Sequence, residues 1–150
     1  MEEKLKNALL KDLGHAPDPD TVSSRSLAFI GDAVYELKIR DRALKAFNGQ
    51  VKDLNAITKE LSAAKAQSKI AEGLSDFLTE EEIKIYKRGR NVKSIPAPHS
   101  CSIGEYRKAT GLEALLGYLY IEGNEERIDE IINEALRSYF KESSRRYKQI

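Results

Sequence analysis

One cysteine in 150 residues, Cys101, excludes an internal disulfide, and two histidines, His15 and His99, are too few for a zinc site of the usual nitrogen and sulfur ligands. Any resident metal must therefore be a hard cation held by oxygen. Proline is scarce as well. Its four residues fall in two pairs, Pro17 with Pro19 and Pro96 with Pro98, which mark two connectors and leave the rest of the chain open to helices. No apolar stretch approaches the roughly 20 residues needed to cross a bilayer. The opening Met1-Glu2-Glu3-Lys4-Leu5-Lys6 also lacks the apolar centre of a signal peptide, so a soluble, cytoplasmic protein without a membrane partner is expected. Neither sign of charge is in excess, 25 basic residues against 24 acidic, so a nucleic-acid partner would have to be recognised locally.

What is present, 41% hydrophobic residues without a low-complexity tract, suits one domain with one core. A short helix from Glu2 to Leu13 ends at Gly14, and a Pro-rich connector completes an N-terminal region, 1–23. A long helix then runs from about Ser24 to Phe47, with Leu27, Ile30, Val34, Leu37 and Leu44 in one stripe and Ala28, Phe29, Asp32, Glu36, Ile39 and Ala43 on a second face. Apolar on two faces, it is expected at the centre of the fold, with Asp32 and Glu36 pointing into a partly enclosed space. Helix continues from Val51 to Phe77, broken near Gly73, and a capping box at Thr79 and Glu82 starts the next one. A loop occupies Asn91 to Gly104, and helices follow from Glu105 to Glu122 and from Glu125 to Phe140, the latter with Ile128, Ile131, Ile132, Ala135 and Leu136 inward. The expected class is all-α, with a body over 24–140 and a basic tail over 141–150.

Two acids stand where packing would want a hydrophobe. Glu113 is the one charged side chain in Gly111-Leu112-Glu113-Ala114-Leu115-Leu116-Gly117-Tyr118-Leu119-Tyr120-Ile121, and Asp32 sits in Leu27-Ala28-Phe29-Ile30-Gly31-Asp32-Ala33-Val34-Tyr35. A carboxylate withdrawn from water costs several kcal/mol unless it is paired, hydrogen-bonded or bound to a metal. Pairing with a nearby arginine explains one such acid, whereas one on each of two apolar helices also suits magnesium, which keeps waters and takes few protein ligands. Lys84, Lys87, Arg88, Arg90 and Lys93 crowd one segment. Cations at a helix C-terminus complement its dipole, with Gly89 as a cap, and the same residues beside Asn91 suit contacts to nucleic-acid phosphates. The helix around Tyr118, apolar almost all round, needs cover that a second subunit would provide. No Ser-His-Asp or Cys-His arrangement can be argued.

The ordered motifs Leu27-Ala28-Phe29-Ile30-Gly31-Asp32-Ala33-Val34, Lys87-Arg88-Gly89-Arg90-Asn91 and Leu112-Glu113-Ala114-Leu115-Leu116-Gly117 resemble the catalytic domain of ribonuclease III. More narrowly they resemble its Mini-ribonuclease III branch, which lacks the separate double-stranded-RNA-binding domain. The likeness covers roughly Ser24 to Phe140. It implies the all-α ribonuclease III fold, a homodimer, and magnesium-dependent cleavage of double-stranded RNA leaving 5′-phosphate and 3′-hydroxyl ends. Asp32 and Glu113 would be the catalytic metal ligands. Lys87, Arg88, Arg90, Asn91 and Lys93, with Arg107 and Lys108, would contact RNA. Larger members carry a glutamate at the position of Ala28 and an aspartate at that of Thr110, so this chain keeps one acid per helix. One magnesium held mostly through water is expected, with Glu36 and the Thr110 hydroxyl as accessory groups. The branch implies a stem of precursor large-subunit (23S) ribosomal RNA as substrate, presented by a large-subunit ribosomal protein. The alternative is an inactive ribonuclease III-like dimer that binds structured RNA, within a ribosome for example.

Overall fold

The computed structural model describes residues 1–11, 15–47, 49–93 and 97–148, without the side chains of 142–148. Among the described residues all regular structure is helical: α1 Glu3–Leu10, α2 Ser24–Ala46, α3 Val51–Ser62, α4 Ala64–Gly73, α5 Glu80–Arg90, α6 Ile103–Glu122 and α7 Glu125–Lys148, with a single 3-10 turn at Pro19–Thr21. The all-α expectation holds.

Helix α6, not α2, is the axis of the fold. Ala109 to Leu119 is buried at every position but Glu113, because α2, α4, α5 and α7 together surround it. Its all-round apolar sequence is thus covered within the chain and gives no reason for a second subunit. Helix α2 buries Leu27, Gly31, Val34, Tyr35, Ile39 and Ala43. Leu37 and Leu44, expected inward with Leu27 and Val34, lie 66% exposed, and Phe29 lies 83% exposed. The error has a simple cause. Gly31 and Tyr35 define the buried stripe, and a glycine contributes nothing to a reading of hydrophobic periodicity.

Helices α2 and α6 run antiparallel at a separation only glycine allows. A Cβ on Gly31 would lie 1.6 Å from the Glu113 carbonyl oxygen, and one on Gly117 would lie 1.9 Å from the Leu27 carbonyl oxygen. Helix α5 uses the same device: a Cβ on Gly89 would stand 2.6 Å from the Ala114 Cβ and 3.0 Å from the Gly111 Cα. Gly89 is accordingly a buried, helical contact residue. It is neither a cap nor a flexible joint.

The ends of the elements follow local chemistry. The Thr79 hydroxyl accepts from the Glu82 N–H at 3.1 Å while Glu82 Oε1 accepts from the Thr79 N–H at 2.9 Å, the expected capping box. Glu82, 7% exposed, also takes Arg127 Nε and Nη2 at 2.8 Å each, and the Arg127 guanidinium lies 4.6 Å from the Phe77 ring centroid. Burial pushes the Glu82 carboxyl up, but the Arg127 and Thr79 bonds outweigh it and hold it below its usual value. Ser102 and Glu105 form a second capping box, so α6 begins at Ile103, two residues before the expected start. Gly123 ends α6 at φ 81°, the left-handed conformation that favours glycine. The chain between α3 and α4 breaks at Ala63 in extended conformation, and Gly73 is the last residue of α4, not the site of a break within a longer helix. Helix α7 continues past Phe140 to Lys148. Helix α1 buries none of its residues; Leu13, Gly14 and Asn48, where sequence placed helix ends, lie outside the described residues.

Candidate active site

Asp32 follows Gly31 directly, and Gly31 is the point at which α2 meets the backbone of Glu113. The glycine contacts thereby bring the two acids together across the α2–α6 seam. Their carboxyls lie within hydrogen-bonding reach of each other. Burial raises the Glu113 carboxyl, and the hydrogen bond and negative charge of Asp32 raise it further, to about 9. Two carboxylates cannot both ionise at such range without a positive charge between them, so this pair is built to hold a proton or a cation. The enclosed member is Glu113. Asp32 itself is exposed at the rim, contrary to the enclosed position expected for it, because the seam covers Glu113 from the α2 side and leaves α2's own outer face open.

The acids sit in an open cavity of about 690 Å³. From α2 it is lined by Arg25, Ala28, Phe29, Ile30, Asp32, Ala33 and Glu36, and from α6 by Tyr106, Thr110 and Glu113. Both accessory candidates are therefore present. Glu36 accepts from Arg40 Nη2 at 3.2 Å, and the buried Thr110 hydroxyl donates to the Tyr106 carbonyl at 2.9 Å. Arg25 and Tyr106 were not singled out in the sequence. Tyr106 could have been found from its spacing, one turn before Thr110 and two before Glu113. Arg25 gave no such signal.

Gly89 carries the basic end of α5 to the level of Glu113, since its neighbours on α6 are Gly111 and Ala114. Lys87, Arg88, Asn91 and Lys93 are exposed there, and Arg90 is half-buried with its guanidinium 5.9 Å from the Tyr86 ring centroid and its Nε donating to Asn91 Oδ1. Arg107 on α6 is exposed, whereas the Lys108 ammonium is held by Glu72 of α4. Ser94, Ile95 and Pro96, within the expected loop, lie outside the described residues.

All donors near the acid pair are oxygens. Among the described residues no group of three or more His, Cys, Asp or Glu side chains could hold a metal, so the site offers two carboxylates and space for water. That set fits a magnesium-like ion, which commonly binds through one or two carboxylates and keeps several waters.

The ribonuclease III domain family matches residues 25–124, the span that contains both acids, the basic segment and the glycines that join them. The chain belongs to the ribonuclease III family. It is 46% identical over 112 residues to a Mini-ribonuclease 3 of Thermoanaerobacter sp. (strain X514), covering 75% of this chain and 79% of that protein. It is 41% identical over 118 residues to a Mini-ribonuclease 3 of Symbiobacterium thermophilum, covering 79% of this chain and 91% of that one. A crystal structure of a Fusobacterium nucleatum protein, 40% identical, superposes with a TM-score of 0.70 over 80% of this chain and 96% of its own. This member of the family is an endoribonuclease, and the substrate class of the family is double-stranded RNA.

Proposed function

We propose that this endoribonuclease cuts double-stranded RNA with magnesium held by Asp32 and Glu113, leaving 5′-phosphate and 3′-hydroxyl ends. The observation that carries the reading is the meeting of these two carboxylates over the Gly31 and Gly117 contacts, in an open cavity of about 690 Å³. A bound divalent cation supplies positive charge at the scissile phosphate and increases the acidity of water there. The chain's own part is to hold two oxygen donors at fixed spacing, with Glu36 and the Thr110 hydroxyl at the walls to order water. Lys87, Arg88, Arg90, Asn91, Lys93 and Arg107 grip phosphates, which dominate affinity for a duplex, and Lys108 joins them if it leaves Glu72.

The active species is a homodimer in this reading. Phe29, Leu37 and Leu44 form an exposed apolar stripe on α2, and Leu44 continues into an α2–α3 cleft with Val51 and Leu54. Isolated domains rarely leave such a stripe in water. The substrate taken from the resemblance to the Mini branch is a stem of precursor 23S ribosomal RNA in the cytoplasm, presented by a large-subunit ribosomal protein.

The deciding experiment is single-turnover cleavage of a long RNA duplex with and without magnesium, comparing wild type with Asp32→Asn and Glu113→Gln. The expected result is metal-dependent cutting lost in both variants, with duplex binding retained. Undiminished cutting by either variant overturns the role given to the acid pair, and duplex bound but uncut by wild type returns the chain to the RNA-binding scaffold.

A further inference from the structure

Arg25 lies in the first turn of α2, where a cation is electrostatically out of place. The helix N-terminus is the positive end of its dipole, and no acidic residue stands in that turn to balance it. The structure shows what offsets the misplacement. Arg25 Nη2 donates to the Lys93 carbonyl oxygen at 3.0 Å, a bond between residues 68 positions apart in the chain. Arg25 also lines the cavity that holds Asp32 and Glu113, two helical turns before Asp32 on the same face. One side chain thus touches both the acid cavity and the backbone of the basic segment.

Helix α5 is anchored on α6 through Gly89, and Lys93 lies beyond the last turn of α5, past the C-cap Asn91. The Val92 N–H still bonds the Gly89 carbonyl at 3.3 Å, and beyond that turn the Arg25 bond ties the Lys93 carbonyl to α2.

We propose that Arg25 is a positioning residue: by holding the Lys93 carbonyl against α2 it keeps the phosphates gripped by the basic segment in register with the acid pair, and so selects which phosphodiester is cut. This inference rests on the reading of Asp32 and Glu113 as the cutting site. The step from binding to cutting needs the scissile phosphate at one place, and a displacement of about 1 Å at such a centre costs up to roughly 100-fold in rate. Affinity depends on how many phosphates are neutralised and is less sensitive to their register.

The test uses a duplex of defined sequence, end-labelled so that each cut is mapped to a single phosphodiester, with wild type, Asp32→Asn, Arg25→Ala and Arg25→Lys. Arg25→Ala should melt within a few degrees of wild type and bind the duplex within a few-fold. It should cut roughly 10- to 100-fold more slowly under saturating single-turnover conditions, with cuts spread onto neighbouring phosphodiesters. Arg25→Lys, which keeps a donor for the carbonyl, should restore most of the wild-type pattern. An unchanged cut position and a rate within about twofold in Arg25→Ala overturns the proposal, as does a loss of binding that accounts for the whole loss of rate. Failure of the underlying reading looks different, because wild type then fails to cut or Asp32→Asn still cuts.

Discussion

At the scale of single residues, the informative asymmetry is between Asp32, exposed and one bond from the seam, and Glu113, covered by it. In metal-free protein the Glu113 carboxyl titrates near 9, raised by burial and by Asp32 from an ordinary value of 4.5. Between those values the folded chain keeps a proton that the unfolded chain has released, so this group's contribution to stability is complete below the lower value and is lost as pH rises through the upper one. Melting temperature in a chelator should therefore fall from pH 5 to pH 9, and Glu113→Gln, which cannot ionise, should flatten the fall. Equal slopes in the two proteins would show that Glu113 ionises as an ordinary surface acid. Both acids were legible in the sequence because a lone charge in an apolar run is conspicuous by composition. The Arg25 role was not, because a hydrogen bond to a distant backbone carbonyl leaves no mark on the pattern of side chains around it.

At the scale of elements, the seam between α2 and α6 depends on two missing methyl groups. Gly31→Ala and Gly117→Ala each place a Cβ inside a backbone carbonyl of the facing helix, and the helices must separate to admit it. Overpacking of a well-filled core costs about 1–3 kcal/mol and more where backbone has to move. Each variant should lose at least that much in urea unfolding and, because the acids ride on these helices, should lose cutting as well. Gly104→Ala is the control: the nearest atom to its added Cβ is the Ser102 Oγ at 3.9 Å, so its stability should be unchanged or slightly raised. Wild-type stability in Gly31→Ala would mean that the two helices do not meet as described. Most helices could be read from the sequence, and capping chemistry placed the start of α5 correctly. The break at Ala63 could not, since Ala63 is a good helix former and it is the packing of α3 on α2 and of α4 on α6 and α7 that turns the chain there.

At the scale of the whole molecule, periodicity gives α2 two apolar faces and the structure divides both: Leu27 and Val34 of one and Ile39 and Ala43 of the other are buried, while Leu37, Leu44 and Phe29 are left outside. An apolar residue left on the surface and one that faces the core have the same sequence signature, and with Gly31 invisible to periodicity nothing in the sequence separates Leu37 and Leu44 from Leu27 and Val34. If α2 closes a dimer, Leu37→Glu with Leu44→Glu should sediment as a monomer with unchanged helical content while wild type sediments as a dimer. A monomeric wild type at micromolar concentration would remove the dimer from the proposal. The glycine seam also separates the frame of the site from its contents. Ala28 and Thr110 both line the cavity beside the acids, and neither takes part in the main-chain contacts that set the spacing of α2 and α6. The number of carboxylates displayed at the centre can therefore rise or fall by side-chain exchange while the scaffold stays still. A lineage is free to enrich or thin its acids without rebuilding the protein around them.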